Sequence, residues 1–319
     1  MSIIQHGANA DESFVNGRCP PFLLAAQRGD IKHMALLLSL GASIHSTDRL
    51  GNSALHYAAT EDAIEPLEFL LANGLDVNAV NDFGQAPLHR AALASKFWAM
   101  EYLLVRAART EARDALGRTP VHCAVRRCSP LGVALLLRAN PALNLNALDN
   151  QQRTPLHYAA MAGNASIMQF LLERGAEMEV PDALGKAPLH YAARTSEDCV
   201  ICLLKAKPRL GVHAVDRAGQ TPLHDAALAG RSSVMRLLAR SGADVTARTA
   251  NGSTLLHCAA KSGAKSACCE ALQQRLSPRA TDKKRRAPVD VAVGKARSFL
   301  LRYARDFPEP RPIANAAFA

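Results

Sequence analysis

Residues 149–176 read DNQQRTPLHYAAMAGNASIMQFLLERGA, and variants of this stretch recur along the chain. Its centre is the tetrapeptide Thr154–His157, and seven copies of this motif end in histidine. The motif histidines are His56, His89, His122, His157, His190, His224 and His257. They follow one another at intervals of 33, 33, 35, 33, 34 and 33 residues. A period of this length indicates a stacked repeat architecture.

The same local signals surround each copy of the motif. Aspartate or asparagine stands eight residues before most motif histidines and glycine usually five before, a combination that predicts a tight turn. Threonine followed by proline predicts the start of a helix. The following Leu-x-x-Ala-Ala gives a narrow apolar stripe, and a second apolar helix ends in Leu-Leu, as in residues 170–176. Since one unit cannot bury both of its faces, the units must stack on one another.

This pattern resembles the ankyrin repeat. The resemblance implies an all-α-type repeat solenoid in which each unit of about 33 residues forms a β-hairpin tip and two antiparallel helices, stacked into a curved, elongated array. Degenerate copies with Leu23 and Asp290 in the histidine position extend the array to nine repeats over residues 18–305. Residues 1–17 are then an N-terminal extension, and residues 306–319 are predicted to be a disordered tail.

Composition excludes several classes of protein. The 319 residues are 49% hydrophobic and 21% charged, which suits a folded chain. No apolar stretch approaches the roughly 20 residues that cross a bilayer, and the first residues lack the basic start and apolar block of a secretory signal. Eight cysteines are too few for a disulfide-dense scaffold. We therefore expect an intracellular monomer, located in the cytoplasm or the nucleus.

No catalytic constellation emerges from the sequence. Equivalent histidines on stacked helices lie about 10 Å apart, too far to share a metal, so a buried hydrogen-bonding role is predicted for them. Cys199 and Cys202 form a single CxxC inside a predicted helix, where packing is the expected role. We predict no enzymatic activity, no cofactor and no metal.

A partner-binding surface follows from the resemblance. In ankyrin-repeat proteins, partners usually contact the tips and the exposed concave side of the first helices. Carried over position by position, this implies a surface that mixes apolar, tyrosine and basic side chains. Its members are Leu50, Tyr57, Phe83, Arg90, Leu93, Leu116, Arg118, Arg126, Arg127, Arg153, Tyr158, Met161, Leu184, Lys186, Tyr191 and Arg194. This composition is typical of interaction hot spots, although apolar tip residues can also simply pack on the next tip.

The resemblance thus implies a non-catalytic scaffold or adaptor that binds other proteins, with an acidic partner surface favoured. Two narrower interpretations stay open within this class. The shortened last repeat resembles that of gankyrin-type proteasome-assembly chaperones, and some ankyrin-repeat proteins are ubiquitin-ligase adaptors.

Charge supports an alternative of another class. The net charge is +10, but residues 1–150 hold 13 Lys and Arg against 14 Asp and Glu, whereas residues 201–319 hold 21 against 8. Such a basic end could bind an anionic polymer or a membrane surface. Nucleic acid is disfavoured because aromatics are only 5% and no nucleic-acid motif is present. Lys283, Lys284, Arg285 and Arg286 resemble a nuclear-import signal, and a solvated tip is the alternative.

Overall fold

The computed structural model describes residues 20–61, 63–126, 129–207 and 211–306. The predicted N-terminal extension, all but the first residue of the predicted tail, and Arg127 lie outside the described residues. The described chain is built from pairs of short helices, and from the second pair onward a tip precedes each pair. Here the tip is the segment from eight to four residues before the motif position, which is the position of the motif histidine or its equivalent.

The first helix of each pair begins two residues before the motif position, at the second residue of the tetrapeptide. These helices are α1 (Pro21–Arg28), α3 (Ala54–Ala58), α5 (Pro87–Ala94), α7 (Pro120–Ala124), α9 (Pro155–Ala162), α11 (Pro188–Thr195), α13 (Pro222–Leu228) and α15 (Leu255–Ser262). The second helices are α2 (Ile31–Ser39), α4 (Ile64–Ala72), α6 (Phe97–Val105), α8 (Leu131–Ala139), α10 (Ala165–Glu173), α12 (Glu197–Ala206), α14 (Ser232–Arg240) and α16 (Lys265–Gln273). A 3-10 helix (Pro288–Val291) and α17 (Gly294–Asp306) complete the described chain.

The boundaries of these helices follow from local chemistry. Proline occupies the first helical position of six of the eight first helices, where its missing N–H costs no hydrogen bond. Helices α1, α9 and α15 end at Gly29, Gly163 and Gly263, all in the left-handed conformation that satisfies the last carbonyls.

The chain forms two compact units, one up to Asp182 and one from Ala183. Within the first unit, the first helices α1, α3, α5, α7 and α9 pack side by side, as do the second helices α2, α4, α6 and α8. Within the second unit, α11, α13 and α15 form one such row, and α12, α14 and α16 form the other. The core is small and aliphatic: the leucine or valine before each motif histidine is buried, and so is the alanine pair after it, which is Ala124 and Val125 in the repeat of His122.

The tips differ from the expected β-hairpins. Over the described ranges no strand forms, and one isolated antiparallel bridge joins Thr47 to Ser53. The tip of Asp48 is closed by two backbone bonds, from the Asp48 N–H to the Asn52 carbonyl (3.0 Å) and from the Gly51 N–H to the Asp48 carbonyl (3.1 Å), while the Leu50 carbonyl accepts from Asp82 in the neighbouring tip (3.0 Å). Glycine is favoured five residues before the motif position, because Gly84 has φ +67° and an added Cβ would lie 2.9 Å from a backbone nitrogen of the following tip.

Candidate functional site

The motif histidines hold tips and helices together. His122 shows the arrangement: its Nδ1 accepts the backbone N–H of Thr119 (3.1 Å), so Nε2 carries the proton and donates to the carbonyl of Arg153 (3.1 Å) in the next tip. His56, His89, His190 and His257 make the same pair of bonds. The predicted hydrogen-bonding role of these side chains is confirmed.

Burial favours the neutral form of six of these imidazoles. It lowers the pKa of His56, His89, His122, His190, His224 and His257 below the ordinary 6.5, against the opposing effect of the carbonyl that each Nε2 faces. The buried thiols are equally inert, since burial raises the pKa of Cys123 and Cys258 to about 12 and that of Cys199 to about 11. In the described part of the chain, no three metal-ligating side chains converge.

Three consecutive tips of the first unit present apolar side chains to solvent. The backbone carbonyls of Leu50, Phe83 and Leu116 accept N–H groups from the next tip at 3.0, 2.8 and 2.9 Å. These bonds fix the backbone, yet the three residues remain 48%, 50% and 57% exposed. The tips therefore hold an apolar row at defined spacing, and packing on the next tip does not cover it.

The tyrosines predicted for the surface are half-buried and anchored. The hydroxyl of Tyr57 donates to Asp48 at 2.8 Å, and that of Tyr158 donates to Asp149 at 2.7 Å. Burial and the bond to Asp149 raise the pKa of Tyr158 to about 12. These rings can offer an edge to a partner, but both hydroxyls already serve the fold.

Two of the four predicted basic residues that the structure describes in the first unit are partly neutralised. Arg118 donates from Nε to Asp114 (2.8 Å), and Arg153 Nε lies 3.4 Å from Asp149 Oδ2. The side chains of Arg118 and Arg153 are only 13% and 17% exposed. Arg126 is exposed, and Arg90 is half-buried. The charge available to a partner is therefore smaller than the sequence suggested.

The remaining predicted residues of the first unit flank the arginines. Leu93, on α5, is half-buried, and Met161, near the end of α9, is 40% exposed. The Sδ atom of Met161 lies 3.9 Å from Nη1 of Arg153. The structure thus keeps an apolar surface beside the half-buried basic side chains.

The predicted residues of the second unit surround a buried carboxylate. Asp225 is fully buried, and its oxygens accept from Lys186 (2.6 Å) and from Arg194 (3.2 Å). Lys186 also lies 3.1 Å from Asp216. Tyr191 is half-buried, whereas Leu184 is 58% exposed on its tip. Of these side chains, Leu184 offers the largest exposed apolar surface.

The predicted import signal lies on an ordered tip. Lys283, Lys284 and Arg285 are exposed, while Arg286 donates to Asp282 at 3.0 and 2.8 Å. Backbone and side-chain hydrogen bonds from Arg286 lower the pKa of the Asp282 carboxyl to about 2, although desolvation opposes this. Arg285 adopts φ +56° in the position that glycine occupies in most other tips.

Sequence reasoning missed the carboxylates that hold the basic side chains. The aspartate eight residues before each motif histidine was interpreted only as turn chemistry, although its second oxygen also binds a side chain, as in Asp114 and Asp149. The four-residue spacing between this aspartate and Arg118 or Arg153 was the available signal. An exposed apolar pair on α6, Trp98 (60%) and Val105 (76%), was also missed.

Paired helices joined by hydrogen-bonded tips define a repeat protein that presents an extended surface. The chain belongs to the ankyrin-repeat family: the family model described as ankyrin repeats (3 copies) matches residues 22–114, 88–182 and 175–249. This confirms the predicted family and its fold. Members of this family are generally non-catalytic interaction modules, and no helix in the described ranges is long and apolar enough to cross a bilayer.

Similar proteins share the repeats rather than their full length. Inversin of Canis lupus familiaris is 32% identical over 120 residues, which are 36% of this chain and 11% of that protein. NF-kappa-B inhibitor alpha of Sus scrofa is 37% identical over 111 residues, which are 33% of this chain and 35% of that protein. The crystal structure of the ankyrin repeat domain of Bcl-3 matches with a TM-score of 0.55 and 27% identity, covering 69% of this chain and 99% of that one. The chain thus spans about a tenth to a third of the length of these two curated relatives.

Proposed function

We propose that this protein is a non-catalytic scaffold or adaptor that binds partner proteins through its tips and the exposed side of its first helices. The observation that carries the proposal is the apolar row of Leu50, Phe83 and Leu116, each about half exposed on a backbone fixed by hydrogen bonds. Apolar side chains held in place before binding lose little conformational entropy when a partner covers them.

The exposed apolar row and the exposed Arg126 favour a partner that combines apolar and acidic groups. The apolar row supplies contact area, and Arg126 supplies exposed positive charge beside it. Because Arg118 and Arg153 are already paired with aspartates, they contribute to partner binding mainly through their aliphatic stems. We place this interaction in the cytoplasm or the nucleus and assign it to a monomer.

Comparative affinity purification tests the proposal. The triple variant Leu50→Ser, Phe83→Ser, Leu116→Ser removes the apolar row, and Val105→Ser with Leu131→Ser removes exposed apolar side chains from the second helices. We expect mass spectrometry to find specific partners with the natural chain and the control, and to lose them with the triple variant. Equal recovery with all three proteins contradicts the proposed surface.

A second candidate function rests on the basic tip of the second unit. Lys283, Lys284 and Arg285 are exposed side by side, and the chain around them is strongly basic. We propose that this tip contacts an anionic polymer, with heparin as the probe. Binding that weakens steeply with salt and is lost in Lys283→Ser with Lys284→Ser supports it. Salt-independent binding, or binding that this variant retains, contradicts it.

A further inference from the structure

Some arginines of the tips pair with the aspartate of their own tip. Arg118 Nη2 lies 2.6 Å from Asp114, and Arg286 Nη2 lies 2.8 Å from Asp282. In both cases the acceptor is the aspartate eight residues before the motif position. This aspartate accepts backbone N–H groups of the turn with one oxygen and neutralises the arginine with the other.

Arg90 differs from these two arginines. It directly follows the motif histidine, a place that Tyr57 and Tyr158 occupy in other repeats, where their hydroxyls donate to the tip aspartate. In the repeat of Arg90 the tip residue is Asn81, which has no carboxylate. The Asn81 Oδ1 accepts two backbone N–H groups of its own tip (3.0 and 2.9 Å), and its Nδ2 donates to Asn52 (2.8 Å). The carboxylate of this tip, Asp82, forms no ion pair with Arg90 within the described residues.

The guanidinium of Arg90 is consequently unmatched. Within the ranges that the structure describes, it forms no ion pair, and its Nε atom is buried without a hydrogen-bond acceptor. Unsatisfied buried donors are rare in folded proteins because they lose their bonds to water and gain none. A carboxylate of a partner that approaches this guanidinium would supply both the missing acceptor and the missing negative charge.

The surroundings of Arg90 suit a peptide. The half-buried Leu93 lies on the same helix, α5, one turn further along, and the exposed Arg126 follows the neighbouring helix α7, which packs on α5. The tip of this repeat adds the exposed side chain of Phe83. Residues 1–150 hold nearly equal numbers of basic and acidic side chains, so this unit has no overall field that would attract a polyanion. A single carboxylate flanked by apolar groups fits better.

We propose that Arg90 receives a glutamate or aspartate carboxylate of a partner peptide, assisted by Arg126, while apolar residues beside that carboxylate contact Leu93 and Phe83. This inference rests on the proposed function, because it assigns the partner chemistry to the same face of the first unit. The planar guanidinium can hold both carboxylate oxygens, which makes the contact specific for an acidic side chain.

Selection from a random 12-residue peptide library displayed on phage, with the full chain as bait, tests this inference. We expect the selected peptides to share an acidic residue beside apolar ones. Affinity of a synthetic copy should fall about tenfold or more with Arg90→Gln, and less with Arg90→Lys, which keeps the charge but loses the fork. The matched control Arg109→Gln, an exposed arginine of the same unit, should bind as the natural chain does.

The peptide side of the contact supplies the second half of the test. Replacing its acidic residue by glutamine should weaken binding to the natural chain but change little in the Arg90→Gln variant, as a double-mutant cycle requires. If Phe83→Ser weakens peptide binding but Arg90→Gln does not, this inference is overturned and the proposed surface is left intact. If Phe83→Ser weakens the binding of no selected peptide, both this inference and the proposed surface are contradicted. Circular dichroism of each variant checks that it folds.

Discussion

Mild acid should destabilise this protein through its motif histidines. Three of them in each unit have a pKa that burial lowers: His56, His89 and His122 in the first, and His190, His224 and His257 in the second. In the unfolded chain each titrates near its ordinary pKa of 6.5. Below that pH the unfolded state binds more protons than the folded state, so the free energy of unfolding falls as the pH falls.

The magnitude follows from proton linkage. A histidine that stays neutral when folded but protonates when unfolded removes about 1 kcal/mol of stability between about pH 6.5 and 5.5. Three such residues remove at most about 3 kcal/mol from each unit, which is a large share of the typical stability of a domain. Asp48 and Asp149 act in a lower window, because hydrogen bonds from their tips outweigh desolvation and lower their pKa below 3.8. The histidine effect is therefore separable.

Urea unfolding followed by circular dichroism at constant ionic strength measures this effect. The variant His89→Gln isolates one residue, whose Nδ1 accepts from Ala86 (3.2 Å) and whose Nε2 donates to Arg118 (3.1 Å). We expect the variant to lose about 1–3 kcal/mol near pH 7.5, and this deficit to shrink by about 1 kcal/mol between about pH 6.5 and 5.5. An unfolding free energy that does not change with pH in this window, or a deficit that stays constant, refutes the reasoning.

Further predictions concern single contacts, each measured by urea unfolding near neutral pH. Asp225→Ala removes the 2.6 Å partner of Lys186 but leaves Asp216 at 3.1 Å, and should cost about 1–3 kcal/mol; a loss below about 0.5 kcal/mol contradicts a buried ion pair. Tyr158→Phe removes the 2.7 Å bond to Asp149 and should cost about 1–2 kcal/mol, whereas no loss would mean that the bond is replaced by water. Gly84→Ala forces a Cβ to 2.9 Å from backbone at positive φ and should destabilise by more than about 1 kcal/mol; a neutral result contradicts the tight contact between tips.

Repetition explains why so much of the fold could be predicted from the sequence. The seven motif histidines, the tip aspartates and the prolines recur in one register, so each copy supports the interpretation of the others. That no strand forms in the tips that the structure describes could not be predicted, because it depends on the backbone carbonyls of Phe83 and its equivalents accepting from the next tip rather than from their own.

The candidate surface was less predictable, because exposure depends on contacts that are distant in sequence. Lys186 and Asp225 are 39 residues apart and meet only after their repeats stack, which turns a predicted surface lysine into a largely buried one. The exposed row of Leu50, Phe83 and Leu116 was predictable, because their positions in the tips are enough to place them at the surface. All three are about half exposed. That Arg90 lacks an ion-pair partner could be seen only in the structure. The sequence does not show that the side chain of Asn81 is already used, with its Nδ2 donating to Asn52.

Photo-crosslinking tests the partner surface most directly. A photoreactive phenylalanine analogue in place of Phe83 keeps the exposed aromatic group on its tip, and the same analogue in place of Val105 samples the second helices. We predict that irradiation in cell extract links the Phe83 position to a discrete protein, that the link disappears with Leu50→Ser and Leu116→Ser, and that the Val105 position gives no such product. The same product from both positions, or none from Phe83, would contradict the account.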